Sequence, residues 1–243
     1  MSEIWGVAIP GLAMAASEMP TINGLLRLDN PEIGSGPSWP GDSYSLADIA
    51  KLHAQRIAAL NLVELTIIGM SMGGMIASIL ASEFRGAMPA KSNFRILVSS
   101  PSLPTNPAIT KSMLAGWLQA KPGNVGDFQK ILSPFFAPAF RKAHPKVAES
   151  YYRYRAFGEN AQKPQALFRQ IDAISTFDGH IYWPKIDPKE LTTIGGAEDK
   201  VLGPSHSADL KSLSPGAQHI QIADLGHMAN LEMPALFHRR LDL

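Results

Sequence analysis

The chain of 243 residues has no cysteine, no Lys/Arg-rich run and no apolar stretch approaching the roughly 18 residues that span a bilayer. Each absence removes a class of chemistry. Without cysteine there is no disulfide, no thiolate metal site and no cysteine nucleophile. A net charge of +1 with only 18% charged residues leaves no electrostatic footprint for nucleic acid or an anionic membrane. Neither partner is expected, and a small neutral or weakly charged molecule is the natural ligand. The apolar stretch from Trp5 to Ala16 has no Lys or Arg before it and is interrupted by Pro10 and Gly11, so it reads as strand and loop rather than a leader. The expected location is the cytoplasm. No phosphate-binding glycine loop and no obvious metal-ligand cluster stands out, so no cofactor and no metal is expected.

What is present is 45% hydrophobic residues, enough for one α/β domain with a sizeable insertion. Short strand-like runs at Trp5–Ile9, Leu25–Leu28, Val63–Gly69, Phe94–Ser99, Glu190–Gly195 and His219–Ala223 are mostly separated by helical patterns. That alternation predicts a parallel sheet. Between the second and third runs, Ser43 or Ser45 can cap a helix with apolar positions Leu46, Ile49, Ala50, Leu52, Ile57 and Leu60, ending near Asn61. From 101 to 188 the rhythm stops. That segment is rich in Pro, Phe, Tyr and Trp, has helical stretches at Phe128–Leu132 and Lys146–Ala156, and has no convincing strand. It is expected to be a helical insertion beside the carboxyl edge of the sheet, dividing a core of 1–100 and 189–243.

The most specific motif is Gly69-Met70-Ser71-Met72-Gly73, where an apolar strand turns into an apolar helix. A serine on so sharp a turn projects its Oγ, and glycines two residues away on either side remove clashes with the turning backbone. The amides of Met72 and Gly73 then open a helix, where dipole and unpaired donors favour a developing negative charge.

Such a serine needs a base, and the base needs a carboxylate. Of the seven histidines, His53 precedes the serine, His144 and His180 fall in the insertion, His206 and His219 lie in a helix start and a strand, and His238 lies in a terminal helix. His227 alone sits in a glycine-marked loop after a strand, followed by a short helix over 235–241. The matching acid is Asp199 in Gly195-Gly196-Ala197-Glu198-Asp199, with Glu198 its nearest competitor.

With these loops in place the chain resembles the α/β-hydrolase superfamily, and more narrowly its cap-bearing, esterase-like members. The resemblance runs from about Trp5 onward. It rests on the elbow, the acid loop, Gly226-His227-Met228-Ala229-Asn230-Leu231-Glu232-Met233-Pro234, and a turn at Leu28–Gly36 similar to the family's Asp-x-Pro-Gly-x-Gly-x-Ser. It implies an α/β-hydrolase fold with a mostly parallel sheet, trimmed at its start to about six strands, and a helical cap. The family's His-Gly oxyanion loop is matched by Pro10-Gly11-Leu12-Ala13, with Pro10 in place of histidine. Since the donors are amides, Leu12 and Met72 are the implied oxyanion hole, with Ala13 the alternative to Leu12.

These readings make Ser71 the nucleophile, His227 the base and Asp199 its orienting acid in a hydrolase acting on a small or medium carboxylic ester. Met14, Met70, Met113, Trp117, Phe135, Phe136, Tyr151, Tyr152, Phe168 and Trp183 are available for an apolar acyl pocket. Met70, Met14, Trp117, Phe136 and Met228 are the residues assigned to it. The same triad serves C–C hydrolases, amidases, haloperoxidases and acyltransferases, and a receptor with slow turnover is the alternative of another class. The Leu25–Leu28 strand is expected at a sheet edge, where a loop, a charge or a second copy must cover it; a homodimer contact there is the corresponding expectation.

Overall fold

The computed structural model describes residues 4–60, 62, 64–88, 94–99, 115–157, 164–203 and 206–234. Six strands form one sheet: β1 (Gly6–Ile9), β2 (Leu25–Arg27), β3 (Leu65–Met70), β4 (Phe94–Ser99), β5 (Leu191–Gly196) and β6 (Gln218–Ile222), in the order β2-β1-β3-β4-β5-β6. Every neighbouring pair is parallel. All six carboxyl ends therefore lie along one edge. Chain order reverses between β1 and β3, so their connections leave in opposite directions and a crevice opens above that pair.

Strands β1 and β3 run apolar without strict alternation because both faces are covered. Val7 and Ile9 of β1 and Ile67 of β3 pack with α1 (Leu46–Ala58) and α2 (Met72–Glu83), through Ile49, Ile57, Ile76 and Leu80. Ala8, Ile68 and Met70 point the other way, into a cluster with Trp117, Phe128, Leu132, Phe136 and Tyr152. The residue alternation of a strand thus separates two cores.

Helix α1 starts at Ser45, whose side chain accepts from the Asp48 amide while Asp48 reaches back to the Ser45 amide. The cap is Ser45 rather than Ser43, because Asp48 three residues on completes the reciprocal pair. The helix ends at Ala58, before Asn61. Between β4 and β5 the described elements are helical: a turn at 115–119, then Val125–Leu132, Pro138–Ala143, Pro145–Phe157, Pro164–Ser175 and Gly179–Tyr182. Proline at or near the first turn of several of them suits a position whose N–H has no helical partner. Strand β2 stands at the sheet edge as expected and is only three residues long. The expected terminal helix, with His238, lies outside the described residues. Among those residues no helix is long and apolar enough to cross a membrane.

Candidate active site

Ser71 stands between β3 and α2 with φ 52° and ψ −118°, in a region that non-glycine residues avoid. What holds it there is close backbone packing. A Cβ on Gly69 would lie 2.4 Å from the Gly73 carbonyl oxygen, and one on Gly73 would lie 2.1 Å from that of Ile9. The two glycines thus let the turn close on itself and let α2 start hard against the end of β1. Met72 and Gly73 open the helix, and the Gly74 and Met75 amides already donate to the Ser71 carbonyl.

The loop after β1 comes to the same place, since Ile9 pairs with Gly69 in register. A Cβ on Gly11 would lie 3.3 Å from both Ser71 Cβ and Met14 Sδ. Pro10 is tied by its carbonyl, which accepts from Asn30 Nδ2 at 3.2 Å, and Asn30 Oδ1 in turn meets His53 Nε2 at 3.0 Å. Because the Asn30 amide nitrogen is used on Pro10, the His53 contact requires the Nε2–H tautomer. Burial, with the Arg56 charge nearby, lowers the His53 pKa to about 3, so the ring is neutral. His53 precedes the serine in sequence and is no candidate base; through Asn30 it supports the turn beside Ser71.

Asp199 and His227 follow β5 and β6, on the same edge as Ser71. The structure brings them together, with His227 Nδ1 2.8 Å from Asp199 Oδ2 and both residues buried. Glu198, the competitor, is exposed. Asp199 Oδ1 also accepts from the amides of Val201 and Leu202. Burial works against the Asp199 carboxylate, but the His227 charge and hydrogen bond, with those two amides, outweigh it and hold the pKa below the ordinary carboxylate range. An ionised Asp199 takes the proton on His227 Nδ1 as its donor, which leaves Nε2 as the acceptor nitrogen of the ring.

The histidine loop is clamped by the helical segment between β4 and β5. Phe135 accepts at its carbonyl from the amides of His227 (2.7 Å) and Met228 (3.1 Å), and its ring meets the imidazole edge-to-face. Glu232 Oε2 accepts from the amides of Ala137 and Gly226, fastening both sides of that contact. Burial raises the Glu232 pKa, and its three amide bonds and His227 only partly offset this. Glu232 falls within the histidine motif, but its partner Ala137 lies 95 positions away and no local pattern points to it.

Met14, Met70, Trp117, Phe136 and Met228 all belong to the single apolar cluster on the Met70 side of the sheet. Phe135, Tyr151 and Tyr152 join it as well. Trp183 does not: it is fully buried in the opposite cluster with α1 and α2, because the chain has by then crossed to the other face. Phe168 is 56% exposed and lines no interior. Met113 lies outside the described residues.

A family model for the alpha/beta hydrolase fold matches residues 24–234. Among solved structures, the enol-lactonase from Burkholderia xenovorans LB400 superposes with a TM-score of 0.80 at 18% identity, over 100% of this chain and 91% of that one. A thermophilic esterase from Thermogutta terrifontis gives 0.77 at 15% identity, covering 99% and 89%. A bromoperoxidase from Bacillus anthracis gives 0.78 at 17%, covering 99% and 91%. At these identities the likeness shows the fold alone. No curated protein matches the sequence significantly.

Proposed function

The chain belongs to the alpha/beta hydrolase fold family, and from that premise we propose that it is a serine hydrolase acting on a small or medium carboxylic ester. The observation that carries the reading is the buried Asp199–His227 pair on the sheet edge where Ser71 is held in a strained turn. In the proposed reaction His227 Nε2 takes the Ser71 hydroxyl proton as Oγ attacks the acyl carbonyl. The Leu12 and Met72 amides receive the oxyanion. His227 then protonates the leaving alcohol; a water molecule, deprotonated by the same nitrogen, bonds to the acyl carbon, and the acid leaves as His227 returns the proton to Ser71 Oγ. Asp199 stays ionised throughout and stabilises the imidazolium.

The Met14, Met70, Trp117, Phe136 and Met228 cluster is the proposed acyl side of the site. Its position behind Met70, the residue before the nucleophile, supports that assignment. Relatives of this fold bear the names esterase, enol-lactonase and bromoperoxidase, so serine reactivity and ester turnover are what the test reads. A fluorophosphonate should label the protein and fail to label Ser71→Ala. Hydrolysis of p-nitrophenyl esters from acetate to decanoate should rank acyl length. A well-folded protein that neither labels nor turns over any of these esters would leave the receptor reading in its place.

A further inference from the structure

Serine acyl transfer needs a donor from the turn after β1, and this turn offers two candidates, the amides of Leu12 and Ala13. Their surroundings differ. Ala13 N–H donates to Gln170 Oε1 at 3.0 Å, in a fully buried contact bridging 157 positions of sequence. No acceptor among the described residues meets the Leu12 N–H. Ala13 also has φ 62°, a left-handed conformation that alanine adopts only when its surroundings impose it.

The rest of the turn is tied at both ends. Pro10 is held through its carbonyl by Asn30, the Gly11 carbonyl accepts from Met14 N–H, and the amides of Ala15 and Ala16 donate to Glu18 and Asp29. The middle of the turn is held by Gln170 alone among these side chains, and Gln170 comes from the Pro164–Ser175 helix rather than from the sheet.

We propose that Gln170 is a positioning residue: by engaging the Ala13 amide it holds the turn in its left-handed conformation and leaves Leu12 N–H as the donor to an oxyanion at Ser71. The inference rests on the serine hydrolase reading above. Without the acceptor, a buried Ala13 N–H has no partner, and relief of both that and the φ strain rotates the 12–13 peptide. A rotation there also turns the neighbouring Leu12 amide away from the oxyanion position, where alignment within tenths of an ångström matters. The helix itself stays docked when Gln170 changes, because Arg169 next to it pairs with Glu32 and donates through Nε to the Asp42 carbonyl.

The test compares wild type with Gln170→Leu, Gln170→Met and Gln170→Glu on a p-nitrophenyl ester. Two inhibitors are added: an alkyl boronic acid, which mimics the tetrahedral anion, and the product carboxylic acid, which does not. Loss of the acceptor in Gln170→Leu should lower kcat about 10- to 100-fold, with KM within about twofold, since one misaligned donor loses part of the 10²–10³ that a deleted one costs. Boronate affinity should fall in step with kcat, while product affinity stays. Gln170→Met preserves length and apolar packing, and serves if the leucine variant does not fold. Gln170→Glu keeps an acceptor in place and should recover most of kcat.

A wild type that labels and turns over, beside leucine or methionine variants of unchanged kcat and boronate affinity, overturns this inference alone. So does a kcat loss with unmoved boronate affinity, the mark of a merely structural role. A wild type that neither labels nor turns over overturns the serine hydrolase reading and this inference with it.

Discussion

At the scale of single residues, the site is a contest between burial and partnership. Asp199 is buried and still ionised because the His227 charge, the His227 hydrogen bond and two amides outweigh its desolvation. The sign follows: a carboxyl whose folded pKa is depressed contributes stability that is present above the ordinary carboxylate range and is lost as pH falls through its folded value. Asp199→Asn should therefore cost stability at pH 7, and the gap to wild type should narrow in melts below about pH 4, where the unfolded-state carboxyl takes up its proton. Turnover should fall about 10³- to 10⁴-fold in Asp199→Asn at neutral pH, since an amide favours the wrong tautomer, while Glu198→Gln stays near wild type. Steady-state rates on one ester read both variants, and equal losses at 198 and 199 would refute the assignment. The glycines flanking Ser71 work by space. A methyl at Gly73 would sit 2.1 Å from the Ile9 carbonyl oxygen, a backbone atom that cannot move aside. Gly73→Ala should cost more than about 3 kcal/mol in urea unfolding, beyond the usual range for overpacking because no flexible side chain can give way.

At the scale of elements, what could be read in advance was what is local. The six strands and helices α1 and α2 were legible because apolar runs, turn residues and a capping serine all act over a few positions, though Ser43 and Ser45 are equal candidates until the Asp48 contact decides for Ser45. The sheet-edge loops holding Ser71, Asp199 and His227 were legible because each carries glycine beside a chemistry-bearing residue just after a strand. What was not legible is cross-chain fastening. Gln170 under the Ala13 turn, Phe135 and Ala137 against the histidine loop, and His53 behind Asn30 are contacts between segments 23 to 157 positions apart, with no pattern at either end. Trp183, available for the pocket but packed on the other face, shows a related limit: its size argues burial, but only topology decides which face it reaches. His53 gives the clearest element-scale consequence. It joins α1 through Asn30 to the loop after β1, and its burial, the Arg56 charge and, opposing them, Asp29 set a pKa of about 3. A histidine whose folded pKa lies below its ordinary value of about 6.5 gives stability that is full above that value and is lost toward the folded one. Wild type should then lose stability by up to about 1.4 kcal/mol per pH unit from this group between pH 6.5 and 3. A His53→Gln variant should lack that share while starting lower by about 1–3 kcal/mol for the strained Asn30 contact. Parallel pH dependence in the two proteins would exclude the histidine as its source.

At the scale of the whole molecule, two buried ion pairs join the helical segment to loops of the sheet. Arg169 meets Glu32, and Arg155 meets Glu18 at 2.9 Å, the latter pair with side chains only 4% and 7% exposed. Glu18 is the busier junction. It also accepts from the Ala15 amide and the Tyr151 hydroxyl, while its own carbonyl accepts from Asn230 Nδ2. One residue thereby links the loop after β1, the Pro145–Phe157 helix and the chain just past His227. Arg155 also lies over the Trp117 ring at 5.4 Å, so its charge is met on two sides. A pair so buried adds little net stability against well-packed apolar residues, because desolvation nearly cancels the attraction, yet removing one partner strands the other. Arg155→Met should cost about 3–5 kcal/mol, and the double variant Arg155→Met with Glu18→Gln should recover part of that loss. Because the junction spans sheet and helices, the denaturation curves followed by far-UV signal and by tryptophan fluorescence should coincide in wild type and separate in Arg155→Met, where the helical segment is released first. Coincident curves in the single variant, with a double variant no more stable than the single, would show that apolar packing alone couples the two halves.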